Sequence, residues 1–352
     1  MNEIKDTVCS FDNLYSAMLK CKRGIMWKDS AAGFVKNGLV NCYQLKGELM
    51  NGDYKIGKYT VFTISEPKKR VIVSTRIKDR VFQRSLCDNY LTETMTRSFI
   101  YDNAACQVNK GTDFARNRLK CHLQRHYRKH GCNGYVLKCD LSDFFGSTPH
   151  SVAIDAVRKR VKDPWAVSEV ERIINSFTQG ADPSKGMGLG SQVTQLIQLA
   201  VLDDLDHYIK EVLHIKEYVR YNDDFILLHT SKDYLRYCLE QIKKYLSIRH
   251  LKLNKKKTQI FKITQPIHFL GFSFRLINTG KVLMRVLPEK VTHERRRLKK
   301  LVKRCKSGYM TRRDVDECFK SWVAHAPKGD CYKLIQSMTD LYNKLWEECK
   351  NV

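Results

Sequence analysis

Apolar and polar positions follow two different periods along the chain, and the change of period separates helices from strands. Apolar positions recur at helical spacing in residues 1–50, 78–98, 112–129, 150–178, 191–212, 232–249 and 289–350. Short runs rich in β-branched and aromatic residues predict strands at 59–64, 70–74, 134–139, 267–275 and 281–287. Because the strands lie together in the middle of the chain with helices around them, the pattern indicates an α+β fold.

A further β-hairpin is predicted at residues 215–230, with two adjacent carboxylates at its tip. Residues 215–221 are rich in β-forming side chains, residues 225–230 form a short apolar run, and residues 221–224 are Tyr-Asn-Asp-Asp. Adjacent aspartates repel each other at a tight turn unless a cation neutralises them. Magnesium takes carboxylate oxygens together with substrate phosphates, so it is the candidate ion. A solvated Asp-Asp turn is the alternative, because so short a string also arises by chance.

Charge narrows the class of partner. The 352 residues include 63 Lys and Arg against 37 Asp and Glu, which gives a formal net charge of +26 and a pI near 9.6. This excess predicts a polyanionic partner, nucleic acid rather than an anionic membrane. No apolar run approaches the ~20 residues that span a bilayer. The N-terminus also lacks the pattern of a signal peptide, so a cytoplasmic protein is expected.

Cysteine and histidine positions offer a zinc site as an alternative. The thirteen cysteines include no Cys-x-x-Cys pair, which favours reduced structural thiols. His122, His126 and His130 recur at helical spacing and share one helix face, as three zinc ligands do. The same segment carries many cations: Arg116, Arg118, Lys120, Arg125, Arg128 and Lys129. A basic helix surface that faces phosphate therefore explains this segment better than zinc does.

A second carboxylate follows a separate strand. The apolar run at 134–139 ends at Asp140. Two-metal phosphoryl transfer needs carboxylates from different strands around two ions roughly 4 Å apart. An aspartate at a strand end also serves as the cap of a following helix. Beside the hairpin carboxylates and in so basic a chain, the metal interpretation is favoured.

Successive blocks of the sequence resemble the motifs of reverse transcriptases. The palm motifs are matched by residues 138–145 (Lys-Cys-Asp-Leu-Ser-Asp-Phe-Phe), 186–195 (Gly-Met-Gly-Leu-Gly-Ser-Gln-Val-Thr-Gln), 221–224 and 269–272 (Phe-Leu-Gly-Phe). Finger motifs are matched by residues 66–72 and 107–112. The resemblance runs from about residue 55 to 330. It implies a right-hand polymerase with N-terminal helices and fingers at 1–137, an antiparallel palm at 138–286 and a helical thumb at 287–352.

The resemblance also implies catalytic roles. Asp140, Asp223 and Asp224 match the metal-binding aspartates, which implies two magnesium ions, with manganese as the alternative. Lys257 falls where the family keeps a basic residue that protonates pyrophosphate. The other two lysines of the run at 255–257 are equally open for that role, and a solvated charge run is the alternative.

Other matching positions concern the nucleotide and the primer. The positions matching the nucleotide site are Lys68, Arg70, Leu141, Phe145, Leu189 and Gly190. Lys68 and Arg70 match finger cations that contact the triphosphate, with a solvated turn as the alternative. Phe145 matches the aromatic residue that excludes a ribose 2′-hydroxyl, with core packing as the alternative. The turn that grips the primer is matched by Phe269, Leu270 and Gly271.

The implied activity is RNA-directed DNA polymerisation, in which dNTPs extend a DNA or RNA primer on an RNA template. An accessory protein or a structured non-coding RNA is a further expected partner. Leu189 stands where many family members carry glutamine, and this resembles the bacterial enzymes of diversity-generating retroelements, which are related to the retron and group II intron types. The aliphatic residue implies low fidelity. Asn222 replaces the commoner Met or Ala, and the sequence does not explain it.

Two alternatives remain. One is a bacterial reverse transcriptase of phage defence, or an otherwise unassigned one, including an enzyme that makes DNA without a conventional template. The other is a catalytically inactive polymerase fold that binds RNA.

Overall fold

The computed structural model of the protein describes residues 3–65, 70–178, 182–188 and 190–347. The chain forms two compact units. Unit 1 consists of Met1–Ala115, Leu137–Leu227 and Arg236–Gln259. Unit 2 consists of Arg116–Val136, Leu228–Leu235 and Ile260–Val352. This division into two units does not test the fingers, palm and thumb implied by the sequence, which remain a prediction.

Unit 1 begins with helices and a small sheet. The helices are α1 (Glu3–Val8), α2 (Phe11–Cys21), α3 (Asp29–Lys36) and α4 (Gly38–Asn51). Helix α4 ends at Asn51 and is capped by Gly52, whose φ of +81° is a left-handed conformation that glycine adopts without strain. Strands β1 (Thr60–Ile64) and β2 (Arg70–Ser74) then pair antiparallel, with Thr60 opposite Ser74.

The centre of unit 1 is helical. Its elements are α5 (Ile77–Leu86), a π-helical turn (Cys87–Leu91), α6 (Thr92–Thr96), α8 (Phe144–Ser147), α9 (His150–Arg160), α10 (Pro164–Asn175), α11 (Gln192–Val201), α12 (Asp203–His207) and a second π-helical turn (Tyr208–Val212). Helix α7 (Thr112–His130) precedes α8 in the chain. All residues of α11 from Val193 to Val201 are buried except Gln195, so this helix lies in the core of unit 1.

A four-stranded sheet carries the sequence blocks of interest. Its strands are β3 (Tyr135–Asp140), β4 (Tyr218–Tyr221), β5 (Asp224–His229) and β6 (Gln259–Lys262), in the order β4-β5-β3-β6. Helix α13 (Lys232–Ile248) follows β5. Strand β6 was not predicted, because its four residues are partly or fully exposed and show no apolar alternation.

Unit 2 combines a three-stranded antiparallel sheet with long helices. The strands are β7 (Ile267–Phe269), β8 (Phe272–Leu276) and β9 (Val282–Val286), and the helices are α14 (Pro288–Lys306), α15 (Arg312–His325) and α16 (Tyr332–Glu347). The last three helices enclose a small core of Leu298, Val302, Val315, Phe319 and Met338. The predicted α+β class with antiparallel sheets is confirmed.

Helix α7 corrects one expectation. His122 and His126 are only 1% and 2% exposed, and Arg116 is buried with them. The Nε2 atom of His126 lies 2.9 Å from the carbonyl oxygen of Asn133. The predicted phosphate-facing surface therefore excludes these residues, because they continue the buried stripe of the helix. Its exposed cations are Lys120, Arg125, Arg128 and Lys129.

The less favoured alternative of a zinc site gains no support in the described ranges, where no group of three or more His, Cys, Asp or Glu is arranged to hold a metal ion. Within the same ranges, no helix is both long and apolar enough to cross a membrane.

Candidate active site

Three aspartates lie at one end of the four-stranded sheet. Strand β3 ends at Asp140, and its neighbour β5 begins at Asp224. The backbone N–H of Leu141 donates to the carbonyl oxygen of Asp223 over 3.2 Å, which ties the hairpin turn to the end of β3. The carboxylates predicted from separate sequence blocks are therefore carried by adjacent strands.

Lysine ammonium groups neutralise two of these carboxylates. Lys257 Nζ lies 2.6 Å from Asp140 Oδ2, and Lys138 Nζ lies 3.4 Å from Asp224 Oδ2. The backbone explains the first contact, because Asn254 N–H donates to the Asp140 carbonyl (2.7 Å) and a turn links Asn254 to Lys257 (3.2 Å). Lys257 is thus the member of the lysine run that contacts Asp140.

The electrostatics of Asp224 are unusual. Burial raises the pKa of Asp224 to about 7, Lys138 partly offsets this, and the carboxylates of Asp140 and Asp223 add to it. Its Oδ1 atom is buried and has no hydrogen-bond partner among the residues that the structure describes. A buried carboxylate oxygen without a partner is destabilising, and a cation that bound there would relieve it. Hard carboxylate oxygens are also the donors that magnesium takes.

The turn of the hairpin explains Asn222. Strand residues Tyr221 and Asp224 face each other in the register, so Asn222 and Asp223 alone form the turn. Asn222 has a φ of +53°. Asparagine adopts this left-handed conformation more readily than Met or Ala, because its short polar side chain bonds locally. A two-residue antiparallel turn therefore favours asparagine at its first position.

The glycine-rich block contacts the segment that follows Asp140. Phe145 is half-buried, and its carbonyl oxygen accepts a hydrogen bond from Met187 N–H over 2.8 Å. Gly186 N–H donates to the Thr148 carbonyl over 2.9 Å. Gly186 has a φ of +90°, and a Cβ there would lie 3.1 Å from the Gly146 carbonyl oxygen. Only glycine permits this close approach, which brings residues 186–187 against Phe145.

The sequence between β1 and β8 matches one protein family. The family model described as reverse transcriptase (RNA-dependent DNA polymerase) matches residues 59–274. The chain belongs to the reverse transcriptase family. Members of this family typically use divalent metal ions. A search of curated proteins gave no match.

Solved telomerase structures resemble this reverse transcriptase-family chain at low identity. The apo telomerase from Candida tropicalis has 12% identity and a TM-score of 0.48, with 64% of this chain and 47% of that chain covered. The telomerase from Candida albicans in complex with a TWJ fragment of telomeric RNA has 12% identity and a TM-score of 0.49, with 82% and 54% covered. The chain therefore spans about half the length of these two structures.

The remaining predicted site residues differ in what the structure describes. Lys68 and Leu189 lie outside the described residues, and so does the side chain of Arg70. Leu141 is buried. Gly190 has a φ of +110°, and among the described residues no atom lies within 4 Å of the position that its Cβ would take. Of the primer-turn residues, Phe269 ends β7, and Leu270 and Gly271 join β7 to β8 in unit 2.

Sequence reasoning on this reverse transcriptase-family chain missed Lys138, Arg220 and Asp206. Lys138 precedes Asp140 by two positions. Strand side chains two apart lie on one face of the sheet, so the two-residue strand period already predicted that Lys138 lies on the same face as Asp140. Arg220 is a single cation within the buried strand β4. An arginine in a buried strand requires a buried acidic partner, so the sequence already indicated that Arg220 pairs with a carboxylate.

Proposed function

We propose that the protein is an RNA-directed DNA polymerase that extends a DNA or RNA primer on an RNA template with dNTPs. The observation that carries the proposal is the set of Asp140, Asp223 and Asp224 at one end of the sheet in a chain of the reverse transcriptase family. The net charge of +26 suits a polyanionic template and primer.

Asp140, Asp223 and Asp224 would hold two divalent ions, magnesium or alternatively manganese. Their side chains are not arranged as a metal-ligand group in the structure, so they would have to turn toward the ions on binding. The buried Oδ1 of Asp224 and the raised pKa of this group support a cation site at this carboxylate. When bound, such ions stabilise charge on the phosphates and make the primer hydroxyl a better nucleophile.

Lysines of the chain supply further steps. In the structure, Lys257 and Lys138 provide the positive charge beside Asp140 and Asp224. Release of Lys257 from Asp140 would leave its ammonium group able to give a proton to the departing pyrophosphate. Lys257 is 45% exposed, so this movement needs no change in the core.

Other residues would select the substrate. In this proposal the finger residues Lys68 and Arg70 contact the triphosphate, and Phe145 excludes a 2′-hydroxyl. The backbone contact of Phe145 with Met187 supports a fixed position for that side chain. Fingers at 1–137, palm at 138–286 and thumb at 287–352 complete the proposed polymerase. Further nucleotide contacts are proposed for Leu141, Leu189 and Gly190, and primer contacts for Phe269, Leu270 and Gly271.

Primer extension on poly(rA) with oligo(dT) and Mg²⁺ tests the activity. The wild-type protein is expected to extend the primer, and Asp223→Asn/Asp224→Asn is expected to be inactive. Asp12→Asn/Asp53→Asn changes the same charge at exposed positions and is the matched control. Extension by the hairpin variant would refute the metal assignment. Inactivity of all three proteins, with RNA still bound, would favour an RNA-binding polymerase fold.

We further propose the low-fidelity type of the diversity-generating retroelements. Leu189 supports it, because an aliphatic side chain cannot form the hydrogen bond that glutamine makes at this position. Sequencing of products from wild type and Leu189→Gln is expected to show fewer misincorporations in the variant. An unchanged error spectrum would contradict the link between this residue and fidelity.

A further inference from the structure

A fully buried ion pair joins the hairpin that carries Asp223 and Asp224 to helix α12. Arg220 of β4 and Asp206 of α12 are both 0% exposed. Arg220 Nε donates to Asp206 Oδ1 over 2.7 Å, and Nη2 donates to Oδ2 over 2.5 Å. The Tyr218 hydroxyl donates to Asp206 Oδ1 over 2.6 Å. This two-point geometry is the strongest arrangement of an arginine and a carboxylate.

The other donors of Arg220 reach the backbone. Nη1 donates to the carbonyl oxygen of Asn222 over 3.0 Å, and Nη2 also donates to that of Leu199 over 3.2 Å. Asn222 is the first turn residue and directly precedes Asp223. One rigid guanidinium therefore joins α11, α12 and the turn of the hairpin.

The backbone of Arg220 is fixed as well. Its N–H donates to the Asp102 carbonyl over 3.0 Å, and its carbonyl accepts from Ala104 N–H over 2.9 Å. The strand that carries the Arg220 guanidinium is therefore held in place by backbone hydrogen bonds, and the guanidinium binds the first turn residue, Asn222, whose φ is +53°. A left-handed non-glycine residue persists only where surrounding contacts determine it, and the bond from Arg220 to Asn222 is such a contact.

We propose that Arg220 is a positioning residue for the active site: it holds the Asn222 carbonyl, and so fixes the turn that presents Asp223 and Asp224, while Asp206 balances its charge. The inference rests on the proposed polymerase function for its catalytic consequence. The competing explanation is that the pair contributes only to stability. Removal of one partner of a buried pair is strongly destabilising, whereas replacement of the whole pair by apolar groups is often tolerated.

Two variants separate these roles. Arg220→Lys keeps the positive charge beside Asp206, but one ammonium group cannot reproduce the fork that also reaches Asn222. Arg220→Met/Asp206→Leu/Tyr218→Phe replaces the whole buried network by apolar side chains. Arg160→Lys is the matched control, because the Arg160 side chain in unit 1 is only 6% exposed and pairs with Asp203 over 2.7 Å.

The measurements are kcat and KM in primer extension, Tm, and hydrogen exchange of the Leu141 amide in metal-free protein. That amide donates to the Asp223 carbonyl, so its exchange reports the turn directly. Arg220→Lys is expected to lower kcat about 100-fold with KM for the primer–template unchanged, since small misplacements of reacting groups cost this much. Its Leu141 amide is expected to exchange faster, and Arg160→Lys is expected to match wild type in kcat and exchange.

The apolar variant decides between positioning and stability. Arg220→Met alone is expected to lower Tm by roughly 10 °C. The triple variant is expected to recover most of that Tm but not kcat or slow exchange at Leu141. Recovery of all three would overturn the proposal. If the wild type proves inactive as a polymerase, exchange at Leu141 still tests Arg220: unchanged exchange in Arg220→Lys overturns positioning, whereas faster exchange supports it and leaves only the proposed function refuted.

Discussion

Two hairpins of this chain have the same turn length and a similar turn conformation, but the side chains around their turns differ. Hairpin 1 joins β4 to β5 through Asn222 and Asp223, and hairpin 2 joins β7 to β8 through Leu270 and Gly271. Both are antiparallel with two-residue turns, and the first turn residue has a positive φ in each, +53° at Asn222 and +46° at Leu270. In hairpin 2 the second residue, Gly271, is also left-handed at +86°, as a type I′ turn requires.

The residues that follow the two turns occupy equivalent register positions, but one is acidic and the other is aromatic. Asp224 faces Tyr221 in hairpin 1, and Phe272 faces Phe269 in hairpin 2. Asp224 has a buried oxygen for which the described part of the chain offers no hydrogen-bond partner, while Phe272 is fully buried, with the Arg116 guanidinium 4.7 Å from its ring. The comparison shows that one local geometry serves two purposes. In hairpin 1 the turn is followed by a carboxylate, and in hairpin 2 it is followed by a buried aromatic ring.

The largest expected effect tests the carboxylate at this position. Asp224→Asn is expected to lower kcat in primer extension about 10⁴-fold, because metal ions supply several kcal/mol and each ~1.4 kcal/mol is tenfold. Removal of divalent ions with EDTA is expected to abolish extension by the wild type, and added Mg²⁺ to restore it. Circular dichroism should show the variant still folded. Activity within tenfold of wild type would remove the distinction between the two hairpins.

The equivalent position in hairpin 2 is expected to affect stability. Phe272→Ala should lower the free energy of unfolding by about 3–5 kcal/mol, since it removes a fully buried aromatic ring. Urea denaturation followed by fluorescence measures this loss. Phe272→Leu is the matched control and should lose less, because it keeps most of the buried volume. An equal loss in both variants would indicate that ring contacts rather than volume hold hairpin 2.

An exchange of the first turn residues tests the turn conformation that the two hairpins share. Asn222→Leu is expected to destabilise the protein by about 1 kcal/mol, and Leu270→Asn to stabilise it by a similar amount, because left-handed backbone is unfavourable for aliphatic residues. Urea midpoints of the two variants and wild type provide the measurement. Leu270→Gly should also stabilise. A shift of the same sign at both positions would show that side-chain contacts, not φ, control these turns.

Local patterns predicted hairpin 1 because all of its signals lie within a few residues. The β-forming runs, the two-residue separation and the adjacent aspartates are contiguous in the sequence. The motif order and the strand that ends at Asp140 also predicted which carboxylates to consider. Asn222 remained unexplained until its φ was known, because residue type alone does not report turn conformation.

Contacts between distant segments could not be predicted in the same way. Arg220 pairs with Asp206, but α12 also contains Asp203 and Asp204, and spacing does not select among them. Lys257 reaches Asp140 because a turn begins at Asn254, which the lysine run does not reveal. In α7, by contrast, His122 and His126 lie beside Leu119 and Leu123 on one apolar stripe. That pattern was present in the sequence and argued for burial.

The smallest expected effect concerns a histidine at the end of the helix that supports hairpin 1. His207 follows Asp206, and its Nδ1 and Nε2 lie 2.6 Å from Glu211 Oε1 and 2.8 Å from the Ser98 carbonyl oxygen. Both partners are acceptors, so these contacts favour the imidazolium form, in which both ring nitrogens donate. Burial lowers the pKa of His207, but the hydrogen bonds to Glu211 and Ser98 outweigh it and raise the pKa above its ordinary value.

A raised pKa in the folded state fixes the sign of the pH dependence. The stabilisation by His207 is complete below the pKa of the unfolded chain and is lost as pH rises through the higher pKa of the folded protein. Tm of wild type relative to His207→Gln, measured from pH 5.5 to 9, is therefore expected to be greatest at low pH and to shrink as pH rises. The difference should be small, because the side chain is 37% exposed. If this Tm difference instead grew with pH, the His207 imidazole would be neutral in the folded protein. Hairpin 1 would then be supported by the Arg220–Asp206 pair without a charged histidine next to Asp206.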